Sequence, residues 1–135
     1  MTPCLRGWVY VMLAVYAIGF AVGTWSHVTV LAVSGLGAYP EAPQPFRIFF
    51  VSLAVIDPAV IVLIALRRPM TPIVAALVMM VDLLGNWVAD WPHYRDDLDW
   101  LVGNEGGLIQ LTAFGAFVLV TAVPLRRALL HHRAL

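Results

Sequence analysis

Two aspartates, Asp57 and Asp82, stand near the middle of long apolar runs, and a carboxyl in that setting is the feature of this sequence most able to do chemistry. An Asp at the centre of a membrane helix costs about 2.5–3.5 kcal/mol on insertion scales. Both are therefore expected to face the inside of a helix bundle, protonated or paired, and to share a proton if they lie together. Asp82, Asn86 and Asp90 follow at i, i+4 and i+8, so they occupy one helix face. At 1.5 Å per residue this polar stripe is about 12 Å long, with His93 just beyond it. His27, flanked by Thr24, Trp25 and Ser26, and Gln110 from the last apolar run fall at the same level. The candidate catalytic residues are thus Asp57, Asp82 and His27, and the candidate ligand contacts are Asn86, Trp25, Trp87, Gln110 and Asp90.

Each residue also has a purely architectural reading. The two aspartates could bond a neighbouring helix or another subunit, Asn86 could knit helices together, and His27 could bond a nearby hydroxyl. Asp90 and His93 stand close to water as loop-end residues. Trp8, Trp87, Trp91 and Trp100 suit interface anchoring or packing, and His131-His132 reads as a polar tail rather than a metal site.

The elements that must position these groups follow from composition. Of 135 residues, 61% are hydrophobic and 12% charged, too apolar for an ordinary soluble surface. A membrane span needs about 20 mostly apolar residues, and four runs qualify: 8–33, 48–66, 73–91 and 108–125. The expected fold is all-α, a single integral membrane four-helix bundle over residues 1–135. Chemistry is then confined to groups within the bundle or on two short loops. The first run is longer than the h-region of a secretory signal and lacks an A-x-A site, so it is expected to be a retained helix.

Six of the eight basic residues, Arg6, Arg67, Arg68, Arg126, Arg127 and Arg133, fall on one side with no acidic companion. The other side carries Arg47 and Arg95 with Glu41, Asp96, Asp97, Asp99 and Glu105. The positive-inside rule then predicts both termini in the cytoplasm of a multi-pass cell-membrane protein. The turn Arg67-Arg68-Pro69-Met70-Thr71-Pro72 must join runs two and three as an antiparallel hairpin. Loop 34–46 is rich in Gly and Pro and is expected to be extended or turned. Loop 92–107 is polar and acidic, with 96–101 expected as an interfacial turn carrying Trp100. Pro58, beside Asp57, has no N–H for the Ala54 carbonyl, and a mid-helix kink is expected to make polar space there. Gly19 and Gly23 form a G-x-x-x-G pair that permits close helix approach within one chain, or between two as a homo-oligomer.

Zero formal net charge argues against a nucleic-acid partner. Cys4 is the only cysteine, which excludes an intramolecular disulfide and a cysteine metal site. With no Gly-rich phosphate loop, serine-nucleophile motif or H-E-x-x-H pattern, the sequence implies no cofactor and no metal.

The segment 46–97, under half the chain, resembles the emopamil-binding and sigma-2 receptor family, whose shared module is called EXPERA. The likeness rests on Phe46-Arg47-x-Phe49 opening a helix, Pro58 within it, the Arg67-Arg68-Pro69 turn, Gly85-Asn86 late in the next helix, and His93-x-Arg95-Asp96 after it. The resemblance implies a bundle enclosing a sterol-sized pocket, an apolar ligand, and in some members isomerisation of a double bond by acidic residues and a histidine, which His27 would match. A protonated carboxyl would then donate to an alkene while a second polar group removes a proton elsewhere. Isomerase, cyclase and lipid receptor share such a pocket. The rival class is a small proton- or ion-coupled transporter or channel subunit, in which central acids form a conduit, and a third is an accessory subunit of a larger membrane complex. Polar residues at or beyond the midplane on one side only favour a dead-end pocket over a channel.

Overall fold

The structure is a computed structural model that describes residues 7–104 and 106–133, with no side-chain detail for 132 and 133. Expectations resting on Cys4, Arg6 and Glu105 lie outside the described residues. The chain forms helices α1 (Gly7–Ser34), α2 (Gln44–Ala65), α3 (Thr71–Ala89), α4 (Trp91–Asp96), α5 (Leu98–Val102) and α6 (Leu108–Arg133), with a 3-10 turn at Gly35–Gly37 and no strand among the described residues. The fold is all-α, and α1, α2, α3 and α6 are each long and apolar enough to cross a membrane.

Local chemistry explains most of the boundaries. Pro45, Pro72 and Pro92 stand in the first turns of α2, α3 and α4, where a missing N–H costs nothing and a fixed φ helps. The short α5 is capped by Asp97, whose carboxylate accepts from the Asp99 N–H at 3.0 Å. The last helix departs from expectation. Hydropathy ends near Leu125, but α6 continues through Pro124 to Arg133, because helical hydrogen bonding does not require apolar side chains. His131 belongs to this helix and bonds the Arg127 carbonyl at 2.7 Å rather than lying in a tail. Through Pro58, α2 also runs as one helix.

The Arg67-Arg68 turn joins α2 to α3, and the buried Thr71 closes it by donating to the Leu63 carbonyl at 3.0 Å. The two closest pairings are nonetheless α1 with α2 and α3 with α6. Small residues at the crossings account for this. Gly115 of α6 lies against Leu83 of α3, and Gly23 of α1 lies against Asp57 of α2. Gly19 faces the Phe114 ring of α6, so both members of the G-x-x-x-G pair meet partners within the chain. A dimer through them would have to displace that ring and that carboxyl.

The bundle is filled unequally along its length. Toward the end bearing the Arg67-Arg68 turn, here the basic end, Val9, Leu13, Tyr16 and Phe20 interlock with Val60, Ile64, Ala75, Met79, Val118, Leu125 and Leu129. Tyr16 is fully buried and donates to the Val118 carbonyl at 2.9 Å, with Thr121 Oγ1 also at 2.9 Å. At the opposite, acidic end a smaller cluster of Ala42, Phe50 and Leu53 seats the first loop on α2. Ala38 and Ala42 are buried and Tyr39 takes a φ of 58°, so the loop is a folded roof rather than an extended link. That φ is uncommon for a bulky residue, and the packing of its ring on Phe50, 5.1 Å between centroids, holds it.

Candidate functional site

Above the packed half, α1, α2, α3 and α6 leave a cavity of about 440 Å³, within the roughly 300–1,000 Å³ typical of small-molecule sites. Its walls are apolar, with Phe20, Met79, Leu111 and Phe114, and its polar groups are Asp57, Asp82, Asn86, Ser26 and Gln110. Among the described residues no basic side chain lines it. Val22, Ser26 and Gln110 are exposed on its rim, and α1 and α6 touch only sparsely. Those contacts, Tyr16 with Thr121 and Phe117, and Phe20 and Gly19 with Phe114, lie on the basic side of the opening. The mouth therefore lies between α1 and α6 in the acidic half.

The two aspartates reach this cavity in different states. Asp82 is 7% exposed, and Asn86 one turn later donates to its Oδ1 at 2.9 Å and to its backbone carbonyl at 2.8 Å. Asp57 is 4% exposed, and no group among the described residues hydrogen-bonds its carboxyl. Its Oδ2 lies where a side chain on residue 23 would begin, 2.6 Å from the Cβ that Gly23 lacks. The glycine thus makes the room that the carboxyl occupies. The Asp57 carboxyl oxygens therefore open on the cavity rather than on a hydrogen-bonding side chain.

Of the residues singled out in the sequence, the fold brings Asp57, Asp82, Asn86 and Gln110 to one cavity and leaves the others beside it. His27 stands against the roof: its Nδ1 is 2.6 Å from the Tyr39 hydroxyl, and its ring stacks on Phe50 at 6.4 Å. Its position in the first run put His27 at the level of the cavity, but its ring faces α2 and the loop. Trp25 is 74% exposed and points out of the bundle. Trp87 turns toward α6, donating from Nε1 to Thr112 Oγ1 at 3.0 Å, with Tyr94 packed edge-on at 5.3 Å. Asp90 lines a second, smaller hollow of about 250 Å³ beneath the roof, together with Tyr39, Glu41, Ala89 and Asn86.

Sequence reasoning overlooked Gly23 as the space for Asp57, and Tyr39 altogether. Tyr39 carried a faint signal as an aromatic among loop glycines and prolines. Burial pushes its hydroxyl up to about 12, with the carboxyls of Asp82 and then Asp57 adding to the shift. A further unforeseen contact joins the roof to α4, where His93 Nε2 meets Glu41 Oε2 at 2.7 Å. His93 also stacks on Trp100 at 5.1 Å, and the Trp100 ring covers Gly106 at the cavity's acidic end. Trp100 thus packs on both His93 and Gly106.

Among the described residues no cluster of His, Cys, Asp and Glu has the geometry of a metal site. Comparison with known proteins returned no match: no family model fits the chain, and no curated protein or solved structure is significantly similar to it.

Proposed function

We propose that the chain is a membrane protein whose bundle receives an apolar, sterol- or isoprenoid-like molecule and presents it to intramembrane carboxyls, as a binding protein or as an isomerase or cyclase. One observation carries this reading: a free, buried Asp57 carboxyl faces an apolar-walled cavity that is closed toward the basic end by tight packing. With the mouth between α1 and α6, a ligand would come sideways from the lipid. The absence of a lining Arg disfavours phosphate or carboxylate headgroups. The resemblance of 46–97 to the EXPERA module points to the same ligand class.

In an isomerase, protonated Asp57 donates to one carbon of an alkene, and the Asp82 carboxylate, steadied by Asn86, takes a proton from a neighbouring carbon. The double bond moves, and the total proton count is unchanged. Proximity of both acids to one bound molecule supplies the rest of the rate. His27 acts only indirectly, by holding Tyr39 and the roof. The basic clustering of Arg67, Arg68, Arg126 and Arg127 supports an orientation with that end in the cytoplasm, which puts the cavity in the outer leaflet.

The test is thermal unfolding of purified protein with a sterol or polyprenyl compound. Stabilisation of about 2.7 kcal/mol is expected at a hundredfold excess over Kd, and it should vanish in Asp57→Ala. Reconstituted protein should pass no more protons or cations than empty liposomes, since Tyr16, Met79 and Val118 block the basic half. Flux dependent on Asp82, with no stabilisation by any lipid tried, would put the conduit reading first.

A further inference from the structure

A turnover leaves Asp57 without its proton and Asp82 with one, so the pair must exchange protons with water to reset, and the α1–α6 mouth is a poor route. In a bilayer that mouth opens on hydrocarbon, where charged species are strongly disfavoured, and a bound ligand would stop it. The basic half is filled by side chains. The second hollow meets neither obstacle. It lies at the acidic end, under the loop roof, and its walls carry Tyr39, Glu41 and Asp90. Asn86 lines both this hollow and the main cavity, so its side chain borders the two.

Asn86 is built for that position. Both of its amide bonds go to Asp82, one to Oδ1 and one to the backbone carbonyl; the latter can only accept, which fixes the nitrogen there. The amide oxygen has no partner among the described residues and is free to accept from water. One turn on, about 6 Å along the axis, Asp90 follows on the same face. Burial raises the Asp90 carboxyl above its ordinary value, His93 opposing and Glu41 adding. Ala89, between Asn86 and Asp90 in the chain, also lines the hollow and offers it only a methyl group.

We propose that the hollow lined by Tyr39, Glu41, Asp90 and Asn86 is a proton inlet serving Asp82 and, across the cavity, Asp57, separate from the mouth that admits the ligand. After a turnover, protonated Asp82 gives its proton through water in the hollow to bulk water as a hydronium ion, or across the cavity to the Asp57 carboxylate; by the reverse transfer a hydronium ion entering the hollow protonates an ionised Asp82 and becomes water. Asn86 is a positioning residue: it orients the Asp82 carboxyl and the water beside it without itself gaining or losing a proton. The inference rests on reading Asp57 and Asp82 as proton-exchanging groups, and it needs no particular ligand.

The experiment follows hydrogen–deuterium exchange of the carboxyl C=O infrared bands after transfer to D2O, on ligand-free full-length protein in lipid nanodiscs. The pH is set where the bands are present, and Asp57→Asn and Asp82→Asn assign them. Ala89→Leu fills the hollow and leaves every titratable group in place. It should slow exchange of the Asp82 band by roughly tenfold or more, a rise of about 1.4 kcal/mol in the barrier. Asp90→Asn, which keeps shape and removes charge, should slow it by a smaller factor, and this variant decides the matter if Ala89→Leu does not fold. Wild-type exchange in the folded variants, or no protonated band assignable to either aspartate at any pH, would overturn the inlet. A protein that no lipid stabilises but whose exchange is slowed by these substitutions would fail the ligand reading and keep the inlet.

Discussion

Asp57 and Asp82 are the same residue type at similar depth, yet their surroundings assign them different costs. Asp82 accepts from Asn86, whereas Asp57 has no such partner among the described residues and fits only because position 23 has no side chain. A buried polar group without a partner destabilises by about 1–3 kcal/mol, while a made hydrogen bond contributes about 0.5–1.5 kcal/mol. Asp57→Ala is therefore expected to unfold at the wild-type temperature or above it. Asp82→Ala, which removes the Asn86 bond to Oδ1 and keeps the one to the backbone carbonyl, should lose about 1 kcal/mol. Thermal unfolding of both variants in one detergent checks the contrast. Equal losses would mean that Asp57 serves the fold rather than a ligand. Stability given up at a single side chain for a role outside the fold is a common signature of functional residues.

At the scale of helices, the cavity exists because α1 and α6 meet only in one half. Their contact depends on the Phe114 ring, which lies across Gly19 and stands edge-on to Phe20 at 5.9 Å. Adding a methyl group at Gly19 drives into that ring, and overpacking of this kind costs about 1–3 kcal/mol. Phe114 is half-buried, so its truncation should cost less than the roughly 3–5 kcal/mol of a fully buried ring. In the double variant Gly19→Ala, Phe114→Ala, the new methyl group has free space. Its loss should fall short of the sum of the single losses by more than the roughly 0.3–0.5 kcal/mol scatter of independent sites. A double-mutant cycle on unfolding free energy reads this directly. Additive losses would mean that the two helices are held elsewhere and that the mouth is not bounded by this pair. The Glu41–His93 contact across the roof is exposed on both sides, and such pairs contribute at most about 1 kcal/mol. Most of the roof's hold on α2 comes from Ala42 and Tyr39 packed on Phe50.

For the whole molecule, the basic charge and the cavity lie at opposite ends. Arg67, Arg68, Arg126 and Arg127 gather at the packed end, and the cavity, the roof and α4–α5 with their acidic residues stand at the other. Met70 in the basic turn is 58% exposed and Leu98 at the acidic end is 68% exposed, so both positions accept a reporter thiol. In a Cys4→Ser background, a membrane-impermeant maleimide applied to intact cells should label Leu98→Cys and miss Met70→Cys until the membrane is permeabilised. The reverse pattern would turn the protein over and move the cavity to the inner leaflet, leaving its chemistry unchanged.

The sequence by itself determined the all-α class, the number of long apolar helices and the places of the two acids within them, because hydropathy, chain length and helical rise are local quantities that need no partner. It also grouped Asp82, Asn86 and Asp90, since residues four apart share a helix face wherever that helix lies. Rotation of one helix against another was beyond its reach. Only the tertiary structure turned His27 toward Tyr39, sent Trp25 outward and Trp87 to Thr112, and left Asp57 and Gln110 on the cavity with Asp82. Pairing was equally hidden: the turn between α2 and α3 suggested that those two would be nearest neighbours, while small residues at the crossings drew α1 to α2 and α3 to α6. In an almost uniformly apolar chain, hydrophobicity cannot say which face meets which. Side-chain size decides the contacts instead, so the void that makes the candidate site arose where Gly23, Ser26, Gly106 and Gly107 left the helices with too little to fill it.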